Sequence, residues 1–176
     1  MIRYPSSLVI MGVAGCGKSS LGVAVAEQMG LALIEGDDHH SPQSLHKMRQ
    51  GTALTDADRD GWLASLATAL QDHPAGVVLT CSALKRIYRD RLRRAAQGLR
   101  FVYLDISPEQ ALSRVTERAS SHFFSTSLVD SQFTTLEPPT GEEGVLHVDA
   151  MASLVQLQAQ VCAWLETQNE AIKEQA

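Results

Sequence analysis

The chain has 176 residues, enough for one compact domain but not for two independent cores. Hydrophobic residues make up 44% of the chain and charged residues 20%, so the composition is that of a folded protein and excludes a disordered one. No apolar run has the length of a membrane span or a signal peptide, which predicts a cytoplasmic protein that binds no membrane. The net charge of −5 argues against broad nucleic-acid binding.

Short apolar runs rich in branched residues alternate with segments of helical period. This alternation is typical of strands joined by crossover helices in a parallel sheet. The five predicted strands cover residues 8–11, 33–35, 77–81, 101–105 and 145–149. Each is followed by a segment that can form a helix, so the sequence predicts an α/β fold.

The predicted helices follow from apolar spacing and end signals. The first covers residues 18–29 and ends at Gly30, and another begins at Asp56 as N-cap. The last helix is expected to bury Leu154, Leu157, Val161 and Trp164, and the polar tail 166–176 is expected to fray. Segments 36–55 and 118–144 lack a regular period, so we expect a substrate-binding segment and a lid there.

One segment departs from the acidic average of the chain. Within ten residues, six cations accompany the single acid Asp90: Lys85, Arg86, Arg89, Arg91, Arg93 and Arg94. Leu84, Tyr88 and Leu92 recur every four residues there, which predicts a helix with one buried stripe and a basic face. Such a local excess of positive charge indicates a nearby anion.

A phosphate-binding motif follows the first predicted strand. Residues 12–19 read GVAGCGKS, a full match to GxxxxGK[ST], and the predicted helix begins directly after the loop. Contacts to ATP are predicted for Gly12, Val13, Ala14, Gly15, Cys16, Gly17, Lys18, Ser19 and Ser20. Lys18 is expected to bind the β- and γ-phosphates, and Ser19 is expected to ligate Mg²⁺. Cys16 has no partner base nearby in sequence, which favours a small turn residue over a nucleophile or redox switch.

The class of phosphate-loop protein is narrowed by what the sequence lacks. A guanine-nucleotide switch needs an NKxD motif, but Asn169 is the only asparagine. A motor or transporter ATPase needs further domains, whereas a small-molecule kinase fits the length. The second strand ends in EGDDHH at 35–40, and Asp37 is the predicted general base; Asp38 fits a turn or cap equally well. Adjacent His39 and His40 point in different directions, which disfavours a transition-metal site.

Together these motifs resemble the gluconate kinases, a family of small P-loop metabolite kinases. The resemblance covers nearly the whole chain and rests on MGVAGCGKSS at 11–20, GDDHHSPQSLHKM at 36–48, DADRDGWL at 56–63, CSALKRIYRDRLR at 81–93 and HFFSTSLVDSQFTTLEPP at 122–139. It implies a single domain over 1–176 with the three-layer fold of nucleoside monophosphate kinases: a five-stranded parallel sheet, helices on both faces and a lid. It also implies phosphorylation of D-gluconate to 6-phosphogluconate with ATP and Mg²⁺, by a homodimer.

The resemblance also implies roles for individual residues. Asp37 would be the base, and the sugar acid would lie near it, with binding residues His40, Lys47 and Arg49, and with Lys85, Arg86 and Arg89 for its carboxylate or the transferring phosphoryl group. The lid departs from the family pattern, which usually reads Arg-x-Gly-His before a Phe pair. Here residues 119–122 read ASSH, so the catalytic lid arginine is expected to be Arg118 or else Arg114.

Three alternatives stay open at this point. A shikimate-like or nucleotide kinase shares the phosphate loop. A nucleotide-gated module could bind nucleic acid through the basic helix, although the overall charge opposes it. A relative without activity is the third, although Lys18, Ser19 and Asp37 are all present.

Overall fold

A parallel sheet of five strands forms the centre of the fold. The computed structural model describes residues 7–118 and 126–174. The strands are β1 Leu8–Met11, β2 Ala32–Glu35, β3 Val77–Thr80, β4 Arg100–Asp105 and β5 Val145–Asp149, in the order β2-β3-β1-β4-β5. The predicted parallel sheet is therefore confirmed, with strand ends displaced by at most one residue.

Helices cover both faces of the sheet. In the described part of the chain they are α1 Lys18–Met29, α2 Pro42–Arg49, α3 Asp56–Gln71, α4 Arg86–Ala95, α5 Pro108–Glu117, α6 Ser127–Thr135 and α7 Leu154–Glu174, with a 3-10 turn at Gly36–His39. Apolar side chains of α1, α5 and α7 pack on one face, and those of α3 and α4 pack on the other. The three-layer fold expected from the sequence is confirmed.

The central strand explains where the site lies. β1 pairs in parallel with β3 on one side and β4 on the other, and all four of its residues are buried. A strand buried on both faces is continuously apolar, as LVIM is. The sheet order reverses at β1, and open α/β sheets bind ligands at the carboxyl ends of strands beside such a point. The loop after Met11 emerges there.

The N-cap of helix α3 lies one residue earlier than predicted. Thr55, not Asp56, is the N-cap: its hydroxyl accepts from the Asp58 N–H at 3.1 Å, and the Asp58 carboxylate accepts from the Thr55 N–H at 2.9 Å. This reciprocal pair is a capping box, which satisfies two N–H groups at once. Asp56 is thereby free for a contact with α4.

The C-terminal predictions were partly wrong. Leu154, expected to point inward, is 44% exposed because it lies at the first turn of α7. The tail expected to fray is instead helical as far as Glu174. Its Asn169 is buried and accepts a hydrogen bond from Arg100 Nη1 at 3.2 Å. A buried polar partner on β4 therefore holds a segment that looks solvent-facing in sequence. None of the helices in the described ranges has the length and apolar character needed to cross a membrane.

Candidate active site

The loop after β1 wraps around the N-terminus of α1. Gly17 immediately precedes the helix and has a φ of +98°, a left-handed conformation that residues with side chains rarely adopt. At Gly15 φ is +83°, and a Cβ would lie 2.9 Å from the carbonyl oxygen of Ala111 in α5. These glycines allow a tight loop whose N–H groups converge at a helix N-terminus, an arrangement that binds phosphate.

Lys18 folds back over this loop. Its Nζ donates to the carbonyl oxygens of Gly12 at 3.0 Å and Val13 at 3.1 Å, and lies 3.9 Å from the sulfur of Cys16. Cys16 is buried, with 1% of its surface exposed. Hydrogen bonds from an ammonium group to phosphate are stronger than those to a neutral carbonyl. Lys18 can therefore transfer from the loop to a bound nucleotide.

Helix α6 contacts the same loop. Gln132 Oε1 accepts a hydrogen bond from the Ala14 N–H at 2.7 Å, across 118 residues of sequence. The sequence analysis placed Gln132 in the lid segment without a role. Its amide oxygen uses an N–H group that a bound phosphate would also need, so the two compete for Ala14.

An acidic residue that the sequence analysis did not assign lies beside Ser19. Ser19 Oγ donates to Glu35 Oε2 at 3.0 Å, and Thr80 Oγ1 donates to the same oxygen at 2.5 Å. Glu35 and Thr80 are opposite each other in the β2–β3 pair. Magnesium prefers hard oxygen ligands and keeps several waters, so a hydroxyl and a carboxylate beside the phosphate loop fit this ion.

The 3-10 turn that carries Asp37 is fixed at Gly36. The Gly36 N–H donates to Thr80 Oγ1 at 3.3 Å, and its carbonyl accepts from Trp62 Nε1 at 2.7 Å. A Cβ at this position would overlap the Thr80 carbonyl oxygen. The glycine thus lets the turn lie against β3 and holds Asp37 at the carboxyl edge of the sheet.

Asp37 lines a cleft together with Lys18. Its side chain is 75% exposed, and His40 Nε2 lies 3.7 Å from Oδ1. The hydrogen-bonding imidazole of His40 lowers the pKa of Asp37, partial desolvation opposes this effect, and the charge of Lys18 lowers the pKa further. Asp37 is therefore ionised at neutral pH and can accept a hydrogen bond from a ligand hydroxyl.

His40 packs between Asp37 and α3. Its ring stacks on the indole of Trp62, with centroids 4.4 Å apart and planes inclined by 15°. The imidazole is 6% exposed, and within the described ranges its Nδ1 has no hydrogen-bond partner. A buried polar nitrogen without a partner costs free energy, so a ligand hydroxyl that paired with Nδ1 would be stabilised.

The cleft has a volume of about 670 Å³ when the space open to solvent at its mouth is included. The polar side chains on its walls are Lys18, Asp37, His40, Arg59, Ser82, Ser131 and Gln132. Of the predicted substrate-binding residues, Asp37 and His40 are among them. Arg59 and the two α6 residues fall within the segments 56–63 and 122–139 that carry the family resemblance, but no role was predicted for them individually.

Five other cations predicted to bind substrate are not part of this lining: Lys47, Arg49, Lys85, Arg86 and Arg89. Lys47 pairs with Asp58 at 2.8 Å, and Lys85 pairs with Asp56 at 3.0 Å. Arg49 is exposed on α2. Arg86 is also exposed and lies 3.7 Å from Asp90. The structure thus places these cations in ion pairs or on the outer surface.

Arg89 lies in a buried ion pair on α4. Its side chain is 0% exposed and pairs with Glu142 at 2.5 Å. Nη1 also donates to the carbonyl of Ala83 at 2.7 Å, and Nη2 to that of Glu137 at 2.9 Å. Ala83 has a φ of +46°, a strained value for a residue with a side chain. Arg89 therefore stabilises the loop after β3 and is not among the residues that line this cleft.

The two candidate lid arginines differ in position. Arg114 of α5 donates from Nη1 to the carbonyls of Gly15 and Cys16, both at 3.3 Å, and from Nη2 to that of Ala150 at 3.0 Å. It thereby connects the phosphate loop to α5 and to the residue that follows β5. Arg118 is the exposed C-cap of α5. The departure from the family pattern at 119–122 lies outside the described residues.

Comparison with known proteins agrees with this geometry. Residues 8–139 match a family model described as an AAA domain. The chain is 43% identical over 149 residues to the probable gluconokinase of Schizosaccharomyces pombe, which covers 80% of this chain and 77% of that one. It is 42% identical over 147 residues to the gluconokinase of Gluconobacter oxydans, covering 82% of each.

A solved structure extends the similarity to the whole fold. The crystal structure of a gluconokinase from Sinorhizobium meliloti 1021 matches with a TM-score of 0.90 and 43% identity, over 99% of each chain. Identity at this level over nearly the full length goes beyond a shared P-loop fold. The chain belongs to the gluconokinase family.

Proposed function

We propose that this chain transfers the γ-phosphoryl group of ATP to the primary hydroxyl of D-gluconate, giving 6-phosphogluconate. The observation that carries the proposal is one cleft that joins the phosphate loop to an ionised carboxylate: Lys18 and Asp37 line the same cavity. Membership of the gluconokinase family supports the choice of acceptor.

The phosphate loop binds the donor. Loop N–H groups and the positive end of α1 attract the phosphate oxygens, and Lys18 moves from the carbonyls of Gly12 and Val13 to the β- and γ-phosphates. Gln132 gives up the Ala14 N–H when the nucleotide occupies the loop. The loop N–H groups and Lys18 are then in position to stabilise the negative charge that develops on the phosphoryl oxygens during transfer.

Asp37 orients the acceptor. Phosphoryl transfer passes through a loose transition state, so the attacking hydroxyl needs alignment more than a strong base. A carboxylate with a lowered pKa suits this role, because it accepts the hydrogen bond in the ground state and takes the proton late in transfer. His40, 3.7 Å away, keeps the carboxylate in place.

Magnesium would be held by Ser19 and Glu35, with Thr80 hydrogen-bonded to Glu35. An ion held there would neutralise part of the negative charge of the phosphate groups. The Ser19–Glu35 hydrogen bond already brings the two ligands together, and water and phosphate oxygens would complete the shell.

Arg118 is our candidate for the cation that stabilises the transferring group. Arg114 already donates hydrogen bonds to two carbonyls of the phosphate loop and to that of Ala150, so its displacement would destabilise the loop. Arg118 lies one turn further along, at the edge of the predicted lid.

A homodimer and a cytoplasmic location are proposed from the family resemblance. The mass of a single chain in light scattering would contradict the dimer.

A coupled ADP-release assay tests the function. D-gluconate, shikimate and nucleoside monophosphates are compared as acceptors with ATP and Mg²⁺, and we expect the highest kcat/KM for gluconate. A higher value for shikimate or a nucleotide would replace this proposal with the corresponding sibling kinase.

A further inference from the structure

Arg59 of α3 is a buried cation in the cleft that the mechanism above does not use. The residue is 9% exposed, and it lines the same cavity as Lys18, Asp37 and His40. A buried charge is costly unless it is paired. Its partners therefore indicate whether it is purely structural.

The hydrogen bonding of Arg59 is incomplete. Nη1 donates to the Leu54 carbonyl at 2.6 Å, and the guanidinium carbon lies 5.7 Å from the centre of the Tyr88 ring. A guanidinium group has five N–H donors, and Leu54 is its only hydrogen-bond acceptor in the part of the chain that the structure describes. Across the same ranges no carboxylate forms an ion pair with it.

Asp56, at the start of the same helix, already has two hydrogen-bonding partners. Hydrogen bonds from Tyr88 and Lys85 lower the pKa of Asp56, and the charge of Arg59 lowers it by a smaller amount. Lys85 donates to both Asp56 carboxylate oxygens, and the Tyr88 hydroxyl donates to one of them. Asp56 thus pairs with Lys85, and Arg59 lines the cleft without a carboxylate partner among the described residues.

Four other cations, on α2 and at or within α4, have anionic partners. These pairs are Lys47–Asp58, Lys85–Asp56, Arg89–Glu142 and Arg91–Asp60. Lys18 is reserved for the nucleotide phosphates. The cleft therefore contains one further buried positive charge, Arg59, with which no carboxylate of the described residues forms an ion pair.

We infer that Arg59 binds the carboxylate of the acceptor and thereby selects an acidic substrate over a neutral one. The inference rests on the proposed function, since it deepens the description of the same site. Asp37 takes the reacting hydroxyl at one end of a six-carbon acid, and Arg59 takes the carboxylate at the other end. The planar guanidinium fork matches a carboxylate with two parallel hydrogen bonds. The unpartnered Nδ1 of His40 meets a hydroxyl of the acceptor chain.

Kinetics on a charged and a neutral acceptor test this role. D-gluconate and D-gluconamide share every hydroxyl, but the amide carries no charge. The variants are Arg59→Gln and Arg59→Lys, with Arg91→Gln as the matched control, because Arg91 pairs with Asp60 outside the cleft. Unfolding midpoints and KM for ATP report whether each variant is folded.

The expected result is a selective loss. Arg59→Gln should raise KM for gluconate by about 100-fold, in line with the loss of a buried charge pair, while KM for ATP and kcat change by less than about threefold. The preference for gluconate over gluconamide should fall by a similar factor. Arg59→Lys should have a KM for gluconate between those of the wild type and Arg59→Gln. Arg91→Gln should have the KM and the substrate preference of the wild type.

Two other outcomes are distinguishable. If the wild type uses gluconate and Arg59→Gln keeps its preference for the acid, or loses affinity for ATP and gluconate together, the selective role of Arg59 is overturned. If the wild type does not phosphorylate gluconate at all, the proposed function fails first. If Arg59→Gln does not fold, Arg59→Lys decides by the same comparison.

Discussion

At the scale of single residues, the proposed catalysis depends on the position of the Asp37 carboxylate more than on its basicity. Asp37 follows a glycine fixed between Thr80 and Trp62, and its pKa is lowered by His40 and Lys18. The lowered pKa means that the carboxylate remains ionised down to pH values below its ordinary value of 3.8.

Replacing Asp37 by Asn removes the charge and keeps the shape. We expect kcat to fall by roughly 100-fold or more, the usual contribution of a positioned base, with KM for ATP nearly unchanged. The coupled assay measures both. Asp38→Asn is the control, because Asp38 is exposed and does not line the cleft. Equal activity in both variants would make Asp37 a turn residue.

Sequence alone identifies the residues that belong to local motifs. Lys18 and Asp37 fall within motifs whose spacing predicts their chemical roles, and both line the cleft. Arg59 does not, because it stands among acids in DADRD and looks like the solvated face of a helix. Only the packing of α3 against α4 buries it over Tyr88.

At the scale of elements, the basic helix α4 stabilises the fold. Its net charge looks in sequence like a site for anionic ligands, but Arg89 and Arg93 both bind Glu142, at 2.5 Å and 2.7 Å. Arg89 and Glu142 are 53 residues apart, so no local pattern predicts the pair. The Arg89 bonds to Ala83 and Glu137 connect the loop after β3 to the chain that follows α6.

Glu142→Gln should therefore destabilise the protein by about 3 kcal/mol at neutral pH, since it leaves a buried arginine without its anion. Urea unfolding measures the difference, and Glu143→Gln controls for a neighbouring exposed charge. A loss no larger than that of the control would contradict a structural role for the pair.

The same pair predicts a pH dependence. Burial raises the pKa of Glu142, but hydrogen bonds from Arg89 and Arg93 outweigh it and lower the pKa to about 2. Because the folded pKa lies below the ordinary value of 4.5, the stabilisation is complete above about pH 5 and is lost as the pH falls toward 2. The gap in unfolding free energy between wild type and Glu142→Gln should narrow over that range. A constant gap would argue against ionic pairing.

The contact of α6 with the phosphate loop predicts an effect on nucleotide affinity. Gln132→Glu replaces a neutral acceptor for the Ala14 N–H by a charged one, which competes better with phosphate and repels it. We expect KM for ATP to rise about tenfold, with KM for gluconate less affected. Thr134→Ala is the control, because the Thr134 hydroxyl bonds within α6 to the Asp130 carbonyl. An unchanged KM for ATP would contradict competition between residue 132 and phosphate for the Ala14 N–H.

At the scale of the whole molecule, the sheet was predictable because its signals are local. Branched apolar runs such as VVLT and FVYLD mark buried parallel strands wherever they occur. What sequence could not supply are the long-range pairings: Asn169 with Arg100, Glu142 with Arg89, and Gln132 with Ala14. The expected fraying of the tail was wrong for this reason, and the burial of Arg89 against Glu142 was not predicted.

A crystal structure with gluconate and a non-hydrolysable ATP analogue tests the central claim most directly. The proposal predicts gluconate in the cleft, with its primary hydroxyl between Asp37 and the γ-phosphate and its carboxylate at Arg59. Gluconate bound outside the cleft, or bound in it with no hydroxyl near Asp37, would contradict the proposed function.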